Sequence, residues 1–330
     1  MLQDSKILIH HDPVNPDPTR LLPRLYPGAG EAHMQEIKSI LGPMRLPFLL
    51  LTPACVLLGA ASAYASEGGI SAFRLALALA GGVAAHISVN ALNEVSDFKT
   101  GVDLHTERTP FSGGSGTLPA RPEKAGAALA TGVITLGLAA LIGIYFCITT
   151  GWNILPLGIL GLLLVITYTR WITRSPLLCL VAPGAGFGSM MVMGTDFVLT
   201  GQYHWTALVA SMVPFFLVSD LLLLNQFPDV EADRKAERRH LPIAIGRRKC
   251  TGIYGLFLLG AYVSILLGVV LNLFPVACLL GLATLPIAVF TLKGVVKYAE
   301  DIPDLIRYMG MNVVLNLATP VLVAVGLFIG

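Results

Sequence analysis

The chain has 330 residues, 55% hydrophobic and only 13% charged, with a formal net charge of +2 and a mean hydropathy of +0.73. Soluble domains carry about a quarter charged residues, so this deficit, with the charges gathered between long apolar runs, excludes a soluble globular protein and points to lipid. The small net charge, without a basic patch interleaved by aromatics, gives no sign of a nucleic-acid partner. The five cysteines lack a C-x-x-C pair and read as small, reduced core residues.

In chain order, residues 1–40 place acids, prolines and charges ahead of any long apolar run, so no cleavable signal peptide is expected. Residues 1–43 read as a cytoplasmic segment, with a short amphipathic helix over 31–42 lying at the membrane interface. Residues 44–330 read as one membrane domain. A spanning helix needs roughly 20 apolar residues. Nine windows qualify: 46–66, 71–92, 125–149, 152–169, 177–198, 206–225, 252–272, 275–294 and 308–329, the fourth being the shortest and weakest. The expected fold is an all-α polytopic bundle of nine transmembrane helices around a central cavity.

The basic residues test that count. With the N-terminus in the cytoplasm, only Arg74 of the 22 Lys and Arg residues falls near the outside, as the positive-inside rule requires. Two inside loops, 93–124 and 226–250, are longer and more polar than packing demands, and such loops are where a helical scaffold carries function.

Each loop opens on an acidic constellation. The first runs from Asn90 through Asn93, Glu94, Asp97, Lys99 and Gly101 to Asp103. Asn90, Asn93 and Asp97 stand at i, i+3 and i+7, one helical face at the inner end of the second span, and Gly101 is placed to break the helix and turn Asp103 back. The second runs Asn225-Gln-Phe-Pro228-Asp229-Val-Glu231-Ala-Asp233. There Asn225, Asp229 and Asp233 stand at i, i+4 and i+8 on the sixth span, and Pro228 bends the helix or starts a new turn. Clustered carboxylates without His or Cys are hard oxygen ligands suited to Mg²⁺, and groups packed this closely need cations nearby. Two such faces across one mouth would hold a diphosphate through bridging magnesium. Solvated loop charges and helix caps are the plainer reading, which the pairing of two Asn/Asp motifs on one side disfavours.

With these residues the chain resembles the UbiA superfamily of intramembrane prenyltransferases, whose signature is two Asp-rich motifs after the second and sixth of nine helices. The patterns N-x-x-N-[DE]-x-x-D-x-x-x-G-x-D and N-x-x-x-D-x-E-x-D-R-x-A look most like the branch that prenylates 1,4-dihydroxy-2-naphthoate in menaquinone synthesis. Weaker similarities are Arg45-Leu-Pro47, Tyr168-Thr169, and Gly194-Thr195 followed by Val198 and Gly201. The chain departs from the branch in the glycine-laden stretch Ser112-Gly-Gly-Ser-Gly116 and in Asp196, where an aromatic is usual.

The resemblance implies Mg²⁺-assisted departure of diphosphate from an allylic polyprenyl diphosphate and attack by an electron-rich ring. Asn93, Asp97, Asp229 and Asp233 become the primary magnesium ligands, with Asp103 and Asn225 behind them and Asn90 lining the substrate site. Arg45, Lys99, Arg108 and Lys235 are candidate diphosphate contacts or simply positive-inside charges. Tyr168 either stabilises the cation and diphosphate or belongs to the interfacial aromatic belt, with Thr169 beside it. Ser112–Gly116 is a phosphate cradle or a hinge. Asp220 is a candidate acceptor of the ring proton, whereas Asp196 and His86 read as structural. No obligate protein partner is inferred. Other acceptors, 4-hydroxybenzoate or a glycerol-phosphate lipid, remain open. A divalent-cation transporter is the remote alternative, disfavoured because the acids cluster at one mouth and no internal repeat is visible.

Overall fold

The computed structural model describes residues 39–106 and 108–330, and every element in them is helical. The interfacial helix expected over 31–42 lies, for residues 31–38, outside the described residues. Spans α1 (Leu46–Glu67), α2 (Ala72–Thr100), α3 (Pro122–Thr149), α5 (Pro176–Thr200), α6 (Trp205–Asn225), α7 (Arg247–Val270), α8 (Val276–Tyr298) and α9 (Ile302–Ile329) are long and apolar enough to cross a bilayer; α4 (Trp152–Thr167) is shorter. Nine apolar helices therefore stand where nine windows were expected, with eight of full length and the fourth window the short one.

Burial sorts the spans into centre and rim. The apolar windows of α6 and α1 are 67% and 61% buried inside the protein, against 11% for α3. A helix apolar on all sides is satisfied either by protein or by lipid, so α1 and α6 form the axis and α3 presents Ile134, Leu141 and Ile148 to the bilayer. α1 packs on α5 and α9, and α6 on α5, α7 and α9. The main core joins Leu58 of α1, Leu217 and Leu224 of α6, Tyr254 of α7 and Leu315 of α9.

The hydrophobic effect does not draw helices together in lipid, so close approach of small residues takes its place. A Cβ on Gly188 of α5 would lie 2.5 Å from the Phe215 backbone nitrogen and 2.6 Å from the Ser211 carbonyl oxygen of α6; one on Gly184 would collide with the Phe215 carbonyl. Between them and beyond, Ala185–Val192 winds as a π-helix after Pro183, a departure that proline and such wide turns produce inside long helices. Gly188→Leu is therefore expected to lower the melting temperature in detergent by 5 °C or more, by order-of-magnitude reckoning of overpacking, whereas Gly137→Leu, where an added Cβ meets nothing within 4 Å, leaves it unchanged.

Candidate active site

Helix direction decides which ends meet. α1 begins, α2 ends, α4 ends, α5 begins and α6 ends on one side, and their termini surround a cavity of about 290 Å³. Asn90, Asn93 and Asp97 reach it from α2, Tyr168 from the end of α4 and Asn225 from the end of α6. Arg45 enters before α1, held in the left-handed region at φ 52° between two 3₁₀ turns.

The first motif stands as its spacing predicts, because α2 is continuous through Thr100 and Gly101 stops it with φ 78°. The chain then turns through Val102–His105 and returns Asp103 to the cavity wall. The second motif differs from expectation. α6 ends at Asn225, residues 226–229 form a turn containing Pro228, and a new short helix Val230–Lys235 starts with Asp229 at its N-cap. Asn225, Asp229 and Asp233 therefore do not share one continuous helical face; the turn, rather than helical spacing, brings all three to the cavity.

A single relay joins the two motifs. Thr169 Oγ1 donates to Asn93 Oδ1 at 2.9 Å, and Asn93 Nδ2 donates to Asp97 Oδ2 at 2.8 Å. Arg238 then donates to Asp97 through one terminal nitrogen and to Asp233 Oδ1 at 2.7 Å through the other. His240 Nε2 lies 2.8 Å from Asp233 Oδ2, and since an ionised carboxylate only accepts, that nitrogen carries the hydrogen. Burial pushes the Asp233 carboxyl up, but the His240 hydrogen bond and the Arg238 charge outweigh it and hold the group below the usual range. Burial also acts against the Arg238 charge, yet Asp97 and Asp233 raise its pKa above the ordinary value.

A second set of contacts closes the mouth. Glu94, fully buried, accepts from Arg45 Nη2 at 3.2 Å and from both the backbone N–H and the hydroxyl of Ser115. The glycine-rich stretch is thus fastened to α2. Gly114, at φ 71°, lies so near Asp103 that a Cβ would stand 2.8 Å from its Oδ1, which only glycine permits. The phosphate-cradle reading of Ser112–Gly116 meets a physical obstacle here: the Ser115 N–H already serves Glu94, and the Gly113 N–H and Ser112 hydroxyl act on Asp229.

Several sequence candidates fall outside. Lys99 and Lys235 each follow an acid by two residues, about 200° around a helix, and both are exposed. Arg108 is exposed, its guanidinium against Gly116. Asp220 precedes Asn225 by five residues, which turns it about 140° away; it is fully buried with neither carboxyl oxygen partnered, and Leu221 and Leu222 line the cavity instead. Asp196, at the far end, pairs with His204 at 2.9 Å. Conversely, Arg238 and His240 line the cavity, although in the sequence Arg238 reads as one of a run of positive-inside charges.

The residues fit a magnesium ion. Asp103 Oδ2, Asp229 Oδ1 and Asn225 Oδ1 are buried without a hydrogen-bond partner, a cost that a hydrated hard cation relieves. Among the described residues no three acidic, His or Cys side chains stand close enough to hold a metal unaided, which suits an ion that takes one or two carboxylates and completes its shell with water and ligand oxygens. Burial pushes Asp103 up to about 7, helped by Asp97 and Glu94, and burial with Asp233 beside it pushes Asp229 up to about 7. Only the ionised forms bind metal, so protons must leave first. The Mg²⁺ Kd, measured by calorimetry, is therefore expected to fall by about tenfold or more from pH 6 to pH 8; a Kd flat across that window contradicts the assignment of these two acids.

Comparison with known proteins agrees with this architecture. The chain is 27% identical over 168 residues to a 1,4-dihydroxy-2-naphthoate octaprenyltransferase of Bacillus subtilis, a match covering 49% of this chain and 51% of the relative, and so spans about half that protein's length. It is also 27% identical over 212 residues to the protein of the same name from Haemophilus influenzae, covering 63% of this chain and 68% of the relative. Among solved structures, a digeranylgeranylglyceryl phosphate synthase superposes with a TM-score of 0.63 at 14% identity over 90% of this chain and 100% of its own. A UbiA homologue from Archaeoglobus fulgidus bound to DMAPP and Mg²⁺ superposes with a TM-score of 0.54 at 15% identity, over 87% and 99%. The UbiA prenyltransferase family model matches residues 52–327, and the chain accordingly belongs to that family as a multi-pass membrane protein.

Proposed function

We propose that the protein transfers a polyprenyl group from an allylic polyprenyl diphosphate to an aromatic quinone precursor, 1,4-dihydroxy-2-naphthoate or a close analogue, in lipoquinone synthesis. The observation that carries this reading is the pairing of two acidic motifs, 136 residues apart at Asp97 and Asp233, around one partly buried guanidinium at the head of a cavity that Phe48, Leu51, Leu164, Phe187 and Leu221 also line. The relatives' names support the aromatic acceptor, and the Archaeoglobus homologue's DMAPP and Mg²⁺ support the donor and metal.

Asp103, Asp229 and Asn225 offer the unpartnered oxygens that would hold Mg²⁺, and Asp97, Asp233 and Asn93, engaged by Arg238, His240 and Thr169, would complete the site around it. When bound, that ion neutralises negative charge growing on the departing diphosphate, usually the dominant catalytic term in such a site. Arg238 and Arg45 supply fixed positive charge at the same place, each already aligned by its carboxylate partner. His240 fixes the orientation of Asp233. Tyr168 gives the cavity an aromatic wall suited to a developing allylic cation, and Phe48, Leu51, Phe111 and Leu164 keep water from it. The segregation of basic residues supports a mouth facing the cytoplasm from the cell membrane.

Purified protein in detergent with Mg²⁺, one polyprenyl diphosphate and a panel of aromatic and glycerol-phosphate acceptors tests this. Turnover is expected with dihydroxynaphthoate, and Asp97→Ala and Asp233→Ala are each expected to lower kcat by roughly a thousandfold while both proteins remain monodisperse. Wild-type rates in both variants sink the assignment of the site, and turnover confined to another acceptor sinks the choice of dihydroxynaphthoate.

A further inference from the structure

A second cavity, of about 350 Å³, lies beside the first and shares part of its wall: His86, Val89, Leu164, Gly186 and Phe187 line both. It runs between α2, α3, α4 and α5, where Gly143 and Gly158 keep the space open, and Met190 bounds it on α5. Ile144 of α3 and Ile159 of α4 line it too, and they are 52% and 48% exposed. On a lipid-facing surface this means that the cavity opens to the bilayer.

Two of the shared residues form a built partition. The His86 and Phe187 rings meet edge to face with centroids 4.6 Å apart. His86 is only 6% exposed, and its Nδ1 is held 2.9 Å from the hydroxyl of fully buried Thr52 on α1. Phe187 stands in the π-helical stretch of α5, one residue before Gly188, whose contact with the Phe215 backbone fixes that turn against α6. Both rings are therefore braced from the core side and stand between the two cavities.

An apolar tail attached to a head group in the first cavity gains most by continuing into adjoining apolar space rather than into water. We propose that Phe187, braced by His86 and Thr52, determines which donor chain lengths the enzyme accepts: short tails end at the pair, and long tails pass it into the second cavity and leave between α3 and α4. This rests on the prenyl-transfer reading above.

The test compares kcat/KM for a two-unit and an eight-unit prenyl diphosphate with one acceptor, so that the short donor reports folding and chemistry within each variant. Gly158→Phe and Gly143→Phe add bulk from two different helices at positions where a Cβ meets nothing within 4 Å. Each is expected to lower the long-to-short ratio by about tenfold or more, the discrimination a shaped apolar pocket supplies. Phe187→Trp is expected to lower the same ratio and Phe187→Ala to raise it. A ratio within twofold of wild type in both glycine variants, or one that Phe187 substitutions leave unmoved, overturns the proposal. A wild-type protein that transfers neither donor defeats the prenyl-transfer reading itself, whereas an active wild type with an unmoved ratio defeats only the partition.

Discussion

The Arg238 guanidinium between Asp97 and Asp233 is the contact on which the site depends. Five carboxylates, of Glu94, Asp97, Asp103, Asp229 and Asp233, converge on one mouth, and four of them are at most 5% exposed. Carboxylates at that depth repel one another and lose their hydration, so each needs a cation or a hydrogen-bond donor. Arg238 meets this demand for two acids from opposite ends of the sequence, Arg45 meets it for Glu94, and His240 adds a donor to Asp233. What is left unpaired, on Asp103, Asp229 and Asn225, is the part of the site open to a metal.

That electrostatic arrangement is only possible because the helices end where they do. α2 carries its motif on the last turns of a continuous helix, and Gly101 then reverses the chain. The glycine stretch after it lies close against Asp103 and fastens to Glu94. α1 and α6, the most buried of the full-length spans, fix the mouth from the centre, while α3, and α4 with Ile159, Leu160 and Ile166 exposed, stand at the lipid rim. Function and fold are separated spatially in consequence: the polar chemistry sits at one end of the helices, and the apolar space extends toward the rim.

Much of this is legible in the sequence. Hydropathy locates nine apolar helices, because a chain in lipid must satisfy its backbone internally. The i, i+3, i+7 spacing of Asn90, Asn93 and Asp97 is read correctly as one face, since nothing interrupts that helix. The spacing of Asn225, Asp229 and Asp233 suggests the same geometry for a reason that does not hold, the helix having stopped at Asn225 before Pro228. Arg238 is not legible, because Arg234 and Arg239 beside it carry the same side chain and only the turn after Lys235 brings Arg238 inward. The same limit applies to Asp220 and Lys99, whose types suit the site but whose helical phase carries them away from it. The second cavity leaves no trace in the sequence, since every span is rich in the same small and aliphatic residues.

The central claim is that Arg238 couples the two motifs across the mouth. A double-mutant cycle on thermal or denaturant unfolding of the metal-free protein, with Arg238→Gln, Asp97→Asn and the combination, measures it most directly. The account predicts a coupling energy of about 1–3 kcal/mol, because removing Arg238 leaves the Asp97 carboxylate buried without its cation, a cost that Asp97→Asn removes. Additive effects, with coupling below about 0.5 kcal/mol, would contradict it.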